Sequence, residues 1–168
     1  QVEAVLCERS VRKLMIYERN SDRAFRFIEE MKGKTSAEMV YCEDTSLLKE
    51  ADIICTATNA TAPLFMREDV KKGVHINAIG SFQPHMQELD PRLIRDARVF
   101  LDSTEPCLKE SGDLIKPIRE GLFNENHIAG EIGDVLLKRI EGKKSDDQIT
   151  IFKSVGVAIQ DYVVATDI

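Results

Sequence analysis

The sequence predicts an α/β fold with a Rossmann-type, doubly wound and mostly parallel sheet. Three observations carry that reading. Short apolar runs alternate with amphipathic stretches of similar length along the whole chain. The run Val74 to Ile79 ends in Gly80, Ser81 and Pro84, a buried strand breaking into a small-residue loop at its carboxyl end. Open α/β sheets place ligands at such strand ends. No internal repeat and no low-complexity linker interrupts the 168 residues, a length that suits one domain with a substantial core.

The elements follow in order. Gln1 to Glu8 reads as a helix with Val2, Val5 and Leu6 on one side. Leu14 to Tyr17 is an apolar strand, and Ser21 is the expected N-cap of a helix carrying Ala24, Phe25, Ile28 and Met31 up to Gly33. Ala37 to Cys42 reads as the next strand, and Asp44 caps a short helix through Leu47, Leu48 and Ala51. Asp52 to Thr58 is an apolar strand running into a Thr/Asn/Ala-rich loop, and Val74 to Ile79 follows after Gly73. Asp90-Pro91 opens a helix, with proline in its first turn. Arg98 to Asp102 is a strand, Ser103 or Thr104 caps a helix, and a polar loop is expected at Ser111-Gly112-Asp113. Glu131 to Ile140 reads as an amphipathic helix, Thr150 to Ser154 as the last strand, and Gly156 to Ala165 as the last helix.

Composition narrows the partners. The net charge of −6 and pI of about 5.2 point away from nucleic acid and from anionic membranes. No apolar run is long enough to span a bilayer, and no secretory signal opens the sequence. Cys7, Cys42, Cys55 and Cys107 form no C-x-x-C, and Cys42 and Cys55 fall on strands expected to be buried. They read as reduced core cysteines, which places the protein in the cytoplasm. His75, His85 and His127 show no metal spacing, so no metal is expected.

Four places offer chemistry. Gly80 lets the backbone approach a flat group and Ser81 offers a hydroxyl there, although the pair also suits an ordinary strand exit. Glu18, at the end of the second strand of a dinucleotide unit, could accept the adenosine ribose hydroxyls, or could be a solvated strand-end residue. Arg19 beside it could accommodate a 2′-phosphate, so the sequence favours NAD over NADP only by Glu18. Thr56, Ala57, Thr58, Asn59 and Ala60 could lie along a cofactor or form an ordinary polar turn. Ser154 and the amides of Val155 and Gly156 could meet an amide or an anion, with Lys153 read as solvated. Glu105, Glu110, Asp113 and Glu131 read as surface acids. No Ser/His/Asp order, paired-carboxylate motif or phosphate loop is present.

The order of several short segments resembles the ornithine cyclodeaminase and mu-crystallin family. The segments are Gln1-Val2-Glu3-Ala4, Ala51 to Thr58, and His75 to Gly80 with Pro84 and Glu88-Leu89. Asp102-Ser103, Glu110-Ser111-Gly112-Asp113-Leu114 and Phe152 to Gly156 follow, with Ala158 and Asp161 beyond. The resemblance implies a cofactor domain whose glycine loop, first and central sheet strand, substrate and dimerisation domain, catalytic lysine and substrate-carboxylate arginine lie upstream. It therefore implies that this stretch is not stable alone, because loss of a central strand leaves two rows of unpaired backbone groups. It further implies a homodimer of the intact protein acting on a small imino or amino acid.

Within that resemblance Glu18 holds the ribose, and Thr56, Ala57, Thr58 and Asn59 line the dinucleotide. Asn77, Ala78, Ile79, Gly80 and Ser81, with Ser154, Val155 and Gly156, enclose the nicotinamide. Cyclodeaminases of the family carry an aspartate where this sequence has Phe82. Phenylalanine cannot move a proton, so the expectation is NAD(P)-dependent hydride transfer to a cyclic imino acid, as in ketimine and 1-pyrroline-2-carboxylate reductases. Ornithine cyclodeaminase activity, or a non-catalytic mu-crystallin-like binding role, is the alternative.

Overall fold

The computed structural model describes residues 1–166. It divides into two compact units, Gln1–Glu50 and the chain from Ala51 onward.

In the first unit, helix α1 (Val2–Glu8) precedes strand β1 (Lys13–Tyr17), helix α2 (Ser21–Met31) and strand β2 (Glu38–Cys42). β1 and β2 pair in parallel, from Lys13 opposite Glu38 to Tyr17 opposite Cys42. Parallel pairing needs a crossover, and α2 is that crossover. Asn20, not the expected Ser21, caps α2: its extended backbone lets the side chain accept from Arg23 N at 3.2 Å, and Ser21 is already helical. Ala24, Met31, Ala37 and Cys42 are the buried apolar residues of this unit, and α1 has none.

The second unit begins with β3 (Ile53–Thr56), β4 (Thr61–Phe65), β5 (His75–Ala78), β6 (Gln87–Leu89), α3 (Pro91–Asp96), β7 (Arg98–Leu101) and α4 (Thr104–Glu110). It continues with α5 (Gly112–Arg119), β8 (Ile128–Glu131), α6 (Ile132–Leu136), β9 (Thr150–Lys153) and α7 (Ala158–Thr166). Asp161, noted above, has its backbone in α7 and its side chain outside the described residues.

Five strands form one parallel sheet in the order β3-β5-β9-β7-β8. The register aligns Ile54, Ile76, Ile151 and Val99 in one row, and Thr56, Ala78, Lys153 and Leu101 in the next. Side chains in a row share a face, and all eight of these are buried. Cys55, Asn77 and Phe152 alternate onto the other face, which is less covered. Cys55 is therefore exposed on the edge strand β3, against the expectation of a core cysteine; Cys107 takes the buried place instead.

Three regions differ further from the sequence reading. β4 and β6 pair in parallel as a small separate sheet, in segments to which the sequence reading assigned no strand. Ser111, Gly112 and Asp113 are not a solvated loop but the fully buried start of α5. Glu131 ends a strand, and only Ile132–Leu136 beyond it is helical, which leaves Leu136 and Leu137 exposed.

Candidate functional site

Because the sheet is parallel, the carboxyl ends of β3, β5, β9 and β7 lie along one edge. The ladder continues past the strands there: Ile79 N donates to Thr56 O, Ser154 N to Ala78 O, and Asp102 N to Lys153 O. This brings together Thr56 to Asn59, Asn77 to Ser81 and Ser154 to Gly156, three of the four sequence-chosen stretches.

Two internal carboxylates hold the ends of these loops. Glu88, fully buried on β6, accepts from the Thr56 hydroxyl at 2.8 Å, from Thr58 N at 2.6 Å and from Gly80 N at 2.9 Å. Asp102, just past β7, accepts from the Ser154 hydroxyl at 2.6 Å, from Val155 N at 3.1 Å and from Gly156 N at 2.9 Å, all on Oδ2. Its Oδ1 accepts from Ser103 N at 2.7 Å and from the Cys107 thiol at 3.0 Å. Burial works to raise the Asp102 carboxyl, but the Cys107 and Ser154 side chains and the loop amides outweigh it and hold the carboxyl below the usual aspartate range. Burial, with the Asp102 charge beside it, pushes the Cys107 thiol up to about 12.

These contacts revise what the loop residues can offer. Ser81 is buried; its hydroxyl donates to Met86 O and accepts from Asp113 N, so it faces the protein interior. Gly80 is required for a close approach, but to the protein: a methyl there would collide with the Thr58 backbone and the Glu88 carboxylate. Lys153 is not solvated, being 1% exposed, and Asp113 is not a surface acid. The amides of Val155 and Gly156 already serve an anion, the Asp102 carboxylate. Ala57, Thr58, Asn59, Phe82 and Gly156 remain exposed, Val155, Asn77 and Ile79 half-buried, and Ala78 buried within β5. Asn77 turns its side chain to His75 and Cys55 on the less covered face.

The fourth stretch lies in the first unit. Glu18 and Arg19, at the end of β1, line a shallow surface depression with Asn20 to Arg23. Glu18 Oε1 accepts from Asn20 N at 3.0 Å. An acid just past the end of β1, followed by an arginine in the turn before α2, is a donor and acceptor set that fits a ribose. Among the described residues no cluster of His, Cys, Asp and Glu could hold a metal ion, and no helix is long and apolar enough to cross a membrane.

The sequence reading did not single out Glu88 or Asp102 as organisers. For Asp102 a signal was available: it directly follows the apolar strand Val99-Phe100-Leu101, where an unpaired charge would be costly, whereas Glu88 lies within the short, mostly polar β6 and carried no such signal.

The profile of the ornithine cyclodeaminase/mu-crystallin family matches residues 1–168. The chain belongs to this family. It is 46% identical over 167 residues to a Δ(1)-pyrroline-2-carboxylate reductase of Bacillus cereus, covering 97% of this chain and 50% of that protein. It is 35% identical over 158 residues to the ketimine reductase mu-crystallin of Mus musculus, covering 93% of this chain and 46% of that protein. Among solved structures it is similar to the Thermococcus litoralis Δ(1)-pyrroline-2-carboxylate reductase in complex with NADH and L-proline. That match has a TM-score of 0.92 and 34% identity, over 97% of this chain and 51% of the other. The Rossmann-type fold expected from the sequence is thus the fold of the family. The chain spans about half the length of these relatives.

Proposed function

We propose that this chain is the coenzyme-binding part of an NAD(P)-dependent reductase that delivers hydride to a cyclic imino acid of the 1-pyrroline-2-carboxylate class. The carrying observation is the convergence of three loops at one sheet edge, each held from behind by Glu88 or Asp102, so that exposed small residues face outward without strain. The 46% identity to a Δ(1)-pyrroline-2-carboxylate reductase supports the substrate class.

In this reading Glu18 binds the adenosine ribose and Arg19 is placed for a 2′-phosphate. Ala57, Thr58 and Asn59 line the dinucleotide, with Thr56 as an internal support. Ile79, Gly80, Val155 and Gly156 flank the nicotinamide, while Asn77, Ala78, Ser81 and Ser154 shape the strand ends behind it. The coenzyme supplies the hydride when bound. The chain's own residues bind and orient it and keep water from the ring face. Phe82, 44% exposed beside Gly80 and Ser81, offers an apolar surface to a ring and no titratable proton. This is the observation that favours a reductase over a cyclodeaminase. Proton delivery, carboxylate binding, NAD preferred over NADP, a homodimeric whole protein and a cytoplasmic setting belong to the same proposal.

The test uses the intact protein. NADH and NADPH oxidation is followed with 1-pyrroline-2-carboxylate and its six-membered homologue, and ammonia is assayed with ornithine and NAD. Oxidation with the imines and no ammonia from ornithine is the expected result. Ammonia and proline from ornithine would reverse the reading of Phe82.

A further inference from the structure

One cluster of charge lies behind the loops, inside the buried face of the sheet. Lys153 ends β9, and its register neighbours there are Ala78 and Leu101. The side chain is 1% exposed. Nζ lies 3.7 Å from Asp113 Oδ2, and neither atom has a hydrogen-bond partner. Asp113 Oδ1 accepts from Glu88 N at 2.8 Å and Leu89 N at 3.0 Å, and Asp113 N donates to the Ser81 hydroxyl. Asp113 thus fixes β6, and the Glu88 carboxylate on β6 fixes the loops after β3 and β5.

Two carboxylates and one ammonium therefore share this interior. The titratable groups that face Lys153 are Asp113 from α5, Glu88 from β6, Cys107 from α4 and Asp102 past β7. Those that face Asp113 are Lys153 and Glu88. Burial pushes the Asp113 carboxyl up and the Lys153 ammonium down, and the attraction between them opposes both shifts. Without the ammonium, the buried Asp113 carboxylate would have no cation beside it and would take up a proton. A neutral acid accepts backbone N–H groups more weakly than a carboxylate does.

We propose that Lys153 is the counter-ion that keeps Asp113 ionised, and thereby, through the hold of Asp113 on β6, positions the Thr56–Thr58 and Gly80–Ser81 loops for the coenzyme. Lys153 is a positioning residue: it acts through Asp113 and the strand that Asp113 fixes. The inference rests on the coenzyme reading given above.

The test uses the intact protein and Lys153→Met, with the Lys153→Met/Asp113→Asn double variant. NADH affinity is measured by fluorescence from pH 6 to 9, with kcat at saturating coenzyme. For Lys153→Met the affinity relative to the parent falls about tenfold or more at pH 6 and recovers toward pH 9, as the acid left without its partner loses its proton. kcat stays within about threefold, because the bound coenzyme selects the ordered loops. The double variant, with no net charge removed, shows a ratio without a pH trend. A purely structural role lowers the melting temperature alone. A Lys153→Met ratio near unity at every pH overturns the proposal. If Lys153→Met does not fold, carboxyl-carbon NMR of the parent decides: Asp113 ionised across the range supports the counter-ion, and a protonated Asp113 at pH 7 overturns it. A parent that binds neither NADH nor NADPH would instead overturn the functional reading, a failure visible before any variant is made.

Discussion

The two units are built on the same strand–helix–strand logic, yet they hold themselves together differently. Gln1–Glu50 has two paired strands, a helix α1 with no buried residue, and four buried apolar side chains. The unit from Ala51 has a five-stranded sheet and most of the fully buried residues, and it runs its carboxylates inward to fix its own loops. In the first unit the candidate acid, Glu18, is half-exposed at the end of β1. The same residue type thus does opposite work: half-exposed Glu18 spends one oxygen on Asn20 N and leaves the other for a ligand, and buried Glu88 consumes both in architecture.

Core truncation gives the largest expected contrast. Leu101→Ala, at a fully buried site, should destabilise the intact protein by about 2–5 kcal/mol. Leu14→Ala, at a half-buried site on β1, should cost roughly 1 kcal/mol. Denaturant unfolding measures both, and equal losses would erase the distinction between the units. Thiol alkylation under native conditions gives the next. Cys7 and Cys55 are exposed and should react first, then buried Cys42, and Cys107 last by about tenfold or more, since opening the larger core costs more. Cys107 reacting before Cys42 would invert the ranking.

Smaller effects separate the two kinds of acid. Glu18→Ala should weaken NADH binding by about tenfold with little change in melting temperature. A large loss of stability would make Glu18 structural after all. Asp102→Asn should act through acid stability. The Asp102 carboxyl is depressed in the folded protein, so its contribution is present above the unfolded value of about 3.9 and is lost as pH falls below it. The variant should therefore show a shallower loss of stability between about pH 4 and 2 than the parent, read by thermal melts. Identical acid limbs would remove Asp102 from that role.

The strands and the family were legible because apolar runs such as Ile53-Ile54 and Val99-Phe100-Leu101 carry their own period, and because the order of short motifs is specific. The strand-end loops were legible for the same reason. What lay beyond reach was the direction of polar side chains. Lys153 follows an apolar strand, and only the register with Ala78 and Leu101 shows that alternation turns it inward. Ser81, Ser154 and Gly80 lie at strand ends as expected, but Asp113 and Asp102, the partners of the two serines, are distant in sequence, and Glu88, eight positions from Gly80, sits on a strand the sequence did not announce. Cys55 looked buried by composition and is exposed by parity on an edge strand. Asp113 was read as polar loop because a buried acid is uncommon and its partners are 24 to 40 positions away.

The commitment of the Val155 and Gly156 amides to Asp102 has a thermodynamic consequence. A loop whose donors are already satisfied does not wait for a ligand to order it. Binding against it would lose little backbone conformational entropy, and the free loop would resemble the bound one. With those two amides taken, the Val155–Gly156 backbone has only its carbonyl oxygens left to offer, so it suits a group that donates, such as a carboxamide NH₂, better than one that carries negative charge. The chain would then choose orientation by the hydrogen-bond polarity of its backbone, with Asp102 setting that polarity from behind.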